Sequence, residues 1–196
     1  MTKEEIRLAA ELDFITFKRL VHPVRAQGLI HDELSRWMTR EDRKSYQLVL
    51  MPRDHGKSYE AIMYAAWRAT NNPAIRILYV SATSTLATKQ LKLLKDVLTS
   101  DIYRFYWPEM VKIDEGKREK WTETEIAIDH PIRKYENIRD ATCYAAGLTT
   151  SLTGLHCDLL ILDDIVIYEN AYTQEGRERV ASQYSLLASV AGTDSD

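Results

Sequence analysis

Apolar and polar positions change their rhythm several times along the chain, and each change predicts an element. Thr2 with Glu5 three residues on forms a capping box, and Ile6, Leu8, Leu12, Ile15 and Leu20 follow at helical intervals. This helix should end near Val21-His22-Pro23, because a proline disfavours helical geometry in the residue before it. A short second helix is predicted over residues 31–38, with Asp32 and Glu33 in its first turn. Tyr46-Gln47-Leu48-Val49-Leu50 is then a compact apolar run ending at a Pro- and Gly-containing segment, the pattern of a buried strand. Ala61, Ile62, Ala65, Ala66 and Trp67 predict a helix that stops near Asn71-Asn72-Pro73. A strand over 75–80 follows, then a helix carrying Leu86, Leu91, Leu94 and Val97.

Strand, helix, strand, helix in this order predicts an α/β fold with a mainly parallel central sheet flanked by helices. Residues 101–140 interrupt the rhythm: Trp107-Pro108 and Glu115-Gly116 break it, and 121–128 alternates weakly, so an insertion with an antiparallel pair is expected. Strands over 141–145 and 158–162 resume the sheet, a helix is expected over 173–187, and a loop after it. The domain reading is an N-terminal helical segment, 1–40, packed on a core of 41–196.

Composition adds limits. The chain has 196 residues, 45% hydrophobic and 28% charged, as an ordinary globular domain does. Its 26 basic and 29 acidic residues give a net charge of −3, so any nucleic-acid contact must come from a local patch. Cys143 and Cys157 are too few for a disulfide framework and lack metal-site spacing, which predicts two reduced, buried thiols. The apolar run 159–162 is far shorter than the roughly 20 residues that span a bilayer, so no membrane segment is expected.

Two segments carry candidate chemistry. Met51-Pro52-Arg53-Asp54-His55-Gly56-Lys57-Ser58 lies between a predicted strand and a predicted helix. Gly56 would let backbone N–H groups approach an anion closely, and the helix N-terminus would aim its free amides at the same place. Lys57 would supply a mobile charge for β- and γ-phosphates, and Ser58 a hydroxyl for Mg²⁺. The segment departs from G-x-x-x-x-G-K-[ST] at its first position, which is Met51. The second segment is the apolar strand ending in Asp163 and Asp164. Carboxyl ends of parallel strands share one edge of a sheet, so Asp163 should come near Ser58 and hold Mg²⁺, directly or through its waters. Asp164 would orient or deprotonate an attacking water. The bland alternative is that both aspartates cap a turn.

With these residues in view, the sequence resembles the ATPase domain of large terminase subunits, the motors that package DNA into tailed-phage heads. The resembling segments are 51–58, Tyr79-Val80-Ser81-Ala82-Thr83, and 153–164, which runs from Thr153-Gly154 to Asp163-Asp164. Terminase loops often lack the first glycine, so Met51 fits this family. The resemblance implies a P-loop NTPase fold of the additional-strand type and an Mg²⁺-dependent ATP hydrolase that drives double-stranded DNA into a procapsid. ATP and Mg²⁺ are the implied cofactors, portal protein and small terminase subunit the implied partners, and host cytoplasm the implied location. A ring is implied only in the assembled motor.

Residue by residue, the resemblance implies phosphate and metal roles for Lys57 and Ser58 and a second metal anchor at Asp163. Pro52, Arg53, Asp54, His55 and Gly56 complete the cofactor-binding loop. Asp164 stands where many members carry the catalytic Glu. Arg53 could neutralise charge on the γ-phosphate or form a structural ion pair. Tyr46 and Gln47 could contact adenine or serve only as strand residues. Arg177 and Arg179 are candidates for an arginine acting on a neighbouring subunit, or a solvated helix face. Ser81-Ala82-Thr83 either serves the site or the DNA path, or only starts the next helix as a cap. No second acidic cluster with strand context follows, so the chain reads as a truncated motor piece without a nuclease, and Ala191-Gly192-Thr193 as a chance likeness to a coupling motif. The alternatives are a helicase-like or DNA-repair ATPase, and a nucleotide-binding assembly module with little turnover.

Overall fold

The computed structural model describes residues 1–152 and 155–190. Thr153 and Gly154 of the third resembling segment, and the expected loop 191–196, lie outside the described residues.

Four strands form one sheet in the order β2-β3-β1-β4. They are β1 (Ile77–Ser81), β2 (Glu125–Ile126), β3 (Cys143–Gly147) and β4 (Leu159–Asp163). β1 pairs in parallel with β3 on one side and β4 on the other, so Ser81 stands level with both Gly147 and Asp163. The short β2 adds antiparallel to β3, and Trp121 bridges Ile126 beside it, which is where the expected antiparallel pair falls.

Strand alternation divides the core in two. Ile77 and Tyr79 enter a large cluster with Ile62, Met63, Leu91, Leu94, Phe14, Phe17 and Trp107, while Leu78 and Val80 enter a smaller one with Ala146, Leu148 and Leu187. The large cluster is covered by α1 (Lys3–Leu12), α2 (Phe14–Val21), α4 (Lys57–Asn71), α5 (Ser84–Thr99) and α6 (Asp101–Tyr106). The remaining helices are α3 (Leu29–Thr39), α7 (Ile132–Tyr135), α8 (Tyr168–Ala171) and α9 (Gln174–Val190). The result is a mixed α/β layer structure, as the rhythm predicts.

Two expectations are corrected. The first helix is two: Asp13 leaves helical geometry at φ −129° and its carboxylate accepts from Thr16 N–H, ending α1 and capping α2. More consequentially, residues 46–50 form no strand. Tyr46, Leu48 and Leu50 are 75%, 76% and 82% exposed. An apolar run specifies a strand only if an edge is there to pair with it, and this segment joins neither edge of the described sheet.

The N-terminal helices are fixed to α4 by charge as well as by packing. Lys18 on α2 and Glu60 on α4 form a buried ion pair at 2.5 Å, with Ser35 Oγ of α3 donating to the same carboxylate oxygen at 3.3 Å. Phe14 packs against Tyr64 and Trp67, with ring centroids 5.6 and 5.5 Å apart. Among the described residues no helix is long and apolar enough to cross a membrane.

Candidate functional site

The segment 51–56 is an exposed loop that enters α4 through Gly56, whose φ of +75° is a left-handed conformation that side chains adopt at a cost. A Cβ there would also stand 3.4 Å from Arg25 Nη2 and 3.6 Å from His31 Nε2. Asp54 is left-handed as well, at φ +63°, a conformation that aspartate tolerates better than most residues. His55 donates from Nδ1 to Arg53 O at 2.8 Å, tightening the turn. The loop therefore bends sharply without the missing first glycine.

Lys57 begins α4. Its ammonium donates to Met51 O at 2.9 Å, spanning the loop, and lies 3.9 Å from Asp164 Oδ1. The two charged groups are thus neighbours although 107 positions separate them in the sequence. The Asp164 side chain is 65% exposed, so the attraction is solvent-screened, and the positive φ of Asp164 (+47°) aims it away from the run of β4. Asp163, the last residue of β4, accepts from Tyr79 Oη at 2.7 Å. Burial pushes the Tyr79 hydroxyl up from its ordinary range and the neighbouring Asp163 carboxylate adds to that, so Tyr79 remains a donor.

The other candidates make contacts of their own. Ser58 follows Lys57 in the first turn of α4, half-buried. Pro52 and Arg53 are exposed, and Arg53 has no ion-pair partner among the described residues, against its structural alternative. Gln47 is exposed and donates to Lys44 O at 3.3 Å, turned back on its own segment. Arg177 donates to Ala171 O at 2.9 Å and Arg179 is exposed on the same helix. Thr83 accepts from Leu86 N–H at 3.3 Å and caps α5. Gly147 permits that cap to sit on the sheet, because a Cβ there would stand 2.7 Å from Ser84 N.

Sequence patterns miss the residues that brace the loop from the N-terminal side. Gly28 N–H donates to His31 Nδ1 at 3.1 Å, which leaves Nε2 to donate to His55 O at 3.1 Å. The Arg25 guanidinium stacks 3.9 Å from the Tyr59 ring centroid. Gln27 has both ends of its carboxamide shielded from solvent and without a hydrogen-bond partner. No spacing within 51–58 signals Arg25 or His31, which reach Gly56 and His55 only through the fold.

The groups at the start of α4 and the end of β4 are hard oxygens and cations: a hydroxyl, two carboxylates, an ammonium and free amides at a helix start. That set suits an anion with a divalent cation of the Mg²⁺ type, which keeps several waters and takes one or two protein oxygens. No cluster of three or more His, Cys, Asp or Glu able to hold a metal alone occurs among the described residues. Cys143 and Cys157 are buried and form no disulfide among the described residues, and burial raises their thiols to about 12 and about 11, so neither offers a thiolate.

No protein-family model matches the chain. The large terminase subunit of Enterobacteria phage T3 is 26% identical over 167 residues, which cover 85% of this chain and 26% of that protein. The chain thus spans about a quarter of the relative it matches, and the likeness supports a terminase-like relationship.

Proposed function

We propose that the chain is a P-loop ATPase core that hydrolyses Mg-ATP as part of a DNA-packaging motor. The observation that carries this reading is the approach of Lys57, at the start of a helix entered through a left-handed glycine, to Asp164 at the end of a parallel strand. The likeness to a terminase large subunit supports it. Residues 1–40 would act as a helical brace on the core of 41–196. By the same relationship, the substrate track is double-stranded DNA and the partners are portal protein and small terminase subunit.

In this reading the amides of 53–58 bind the phosphates, and the Lys57 ammonium exchanges Met51 O for phosphate oxygens. Ser58 and Asp163 would hold Mg²⁺, which neutralises charge on the β- and γ-phosphates. Tyr79 orients Asp163. Asp164 accepts a proton from the water that attacks the γ-phosphorus, as the bond to the β-phosphate oxygen breaks and ADP leaves. Arg53, free of a competing carboxylate, can turn onto the γ-phosphate. Gln47 is the candidate for the base, its exposed side chain exchanging Lys44 O for an adenine edge.

One observation favours a second reading, a nucleotide-binding assembly module: the exposed Asp164 competes with water for its proton-transfer role. Single-turnover hydrolysis separates the two. Lys57→Ala should lower the rate about 10²-fold or more, as should Asp163→Asn. Equal rates in Lys57→Ala and the parent protein withdraw the ATPase, and tight ATP binding without hydrolysis selects the module.

A further inference from the structure

On the α5 and α6 side of the molecule lies an open cleft of about 570 Å³. Lys92, Lys95, Arg104 and Arg118 line it, against Asp96 and Glu115, which leaves an excess of positive charge in a chain whose net charge is −3. These cations are scattered in the sequence, over two helices and the turn after them, so only the fold collects them. Lys92 is roughly 12 Å along α5 from its first residue at a 1.5 Å rise per residue, well past the Thr83 cap at the sheet edge.

The cleft is built rather than incidental. Arg118 donates to Lys112 O at 3.0 Å and Ile113 O at 3.3 Å, and its guanidinium stands 4.5 Å from the Trp121 ring centroid. Lys95 Nζ lies 5.7 Å from the same centroid and donates to Thr122 O. These two cations are committed to the wall. Lys92 and Arg104 are not: neither side chain has an ion-pair or hydrogen-bond partner among the described residues, and Arg104 Nε is shielded from solvent with its proton unmatched. A guanidinium held in this way is prepared for an oxyanion acceptor.

We propose that this cleft holds the phosphodiester backbone of duplex DNA, with Lys92 and Arg104 as its phosphate contacts. The choice of DNA rests on the packaging reading; the choice of backbone rests on the cleft itself. Trp121 is already engaged by Arg118 and Lys95, so it offers no free platform for an unstacked base, which single-strand binding uses. An open cleft with two free cations on different helices suits the successive charges of a backbone. Such contacts fix position and carry no sequence preference.

Anisotropy of a labelled mixed-sequence duplex, titrated with the full chain at two salt concentrations, tests this. Lys92→Gln with Arg104→Gln should weaken binding roughly ten- to fifty-fold and flatten the log–log salt slope by about 2, while Lys92→Arg with Arg104→Lys keeps both. ATP hydrolysis should be unchanged in the cleft variant. Unchanged affinity in a variant with parental circular dichroism overturns the proposal, as does a parent that holds no duplex at low salt. Preference for single-stranded DNA, or displacement of duplex by equimolar inorganic phosphate, overturns the choice of ligand. Should the double variant not fold, Lys92→Gln alone, on an exposed side chain, must still flatten the slope by about 1. Hydrolysis that survives Lys57→Ala would remove the ATPase reading and leave the cleft standing.

Discussion

Helix α4 separates two regions built on opposite terms. Away from its first turn, Ile62, Met63, Ala65 and Ala66 are fully buried against Phe14, Phe17, Leu91 and Trp107, where aromatic rings lie at centroid distances of 5.1 to 6.4 Å. At its first turn, the loop of 51–56 and the residues before it stay in solvent, and two of the three non-glycine residues with positive φ among the described residues, Asp54 and Asp164, belong to this side. The packed region spends its side chains on one another and is left with little chemistry. The open region keeps cations and carboxylates a few ångströms apart without covering them. A ligand that neutralises them would find its binding groups already held by backbone geometry, with little apolar surface to displace. What ties the regions is the buried bond between Lys18 and Glu60, one helical turn beyond Lys57.

That tie is where the largest effect is expected. Lys18→Met leaves the Glu60 carboxylate buried with Ser35 as its remaining donor among the described residues, and should lower unfolding free energy by about 3–5 kcal/mol in a urea titration. Lys18→Met combined with Glu60→Leu removes both charges and should return most of that loss. If the double variant is as unstable as the single one, packing and not charge joins α2 to α4, and the contrast between the two regions loses its link.

A smaller effect is expected where the sheet meets the open side. Tyr79 is 1% exposed and spends its hydroxyl on Asp163, so Tyr79→Phe removes a hydrogen bond to a carboxylate and little else. The loss should be about 1.5–3 kcal/mol by thermal or urea unfolding, and hydrolysis should fall with Asp163 no longer held. A variant with full stability and activity would mean that Asp163 is positioned by its backbone alone.

The sequence makes the packed region easy to read and the open one only partly so. Periods of 3.6 and 2 locate α4, α5, β1, β3 and β4 within a few residues, because burial against a core imposes those periods. The meeting of Lys57 with the acidic strand end is also legible, since parallel strands present one common edge. Arg25 and His31 are not legible, because their nearness to the loop follows from how α2 and α3 fold back, which no local spacing encodes. The phenol of Tyr79 is hidden for a similar reason: within an apolar run it reads as core, and only the register with β4 brings it to Asp163. The cationic cleft likewise needs three separate segments to meet.

The smallest expected effect bears on the strand that does not form. Leu48 and Leu50 lie in a run whose composition predicts burial, yet they are 76% and 82% exposed. Exposed side chains away from any cap or ion pair contribute little, so Leu48→Ser with Leu50→Ser should change unfolding free energy by no more than about 0.5 kcal/mol. The same change in a buried strand would empty two leucine sites and cost several times that amount, about 2–5 kcal/mol each for large-to-small replacement. Urea unfolding followed by tryptophan fluorescence can tell these apart, since Trp67 and Trp107 report on the packed region and are far from solvent or only partly open to it. A loss above about 2 kcal/mol would mean that residues 46–50 are packed in solution, and the open region would then begin only at the loop of 51–56. A loss within the smaller bound leaves the two apolar side chains free for whatever the loop region meets when it works.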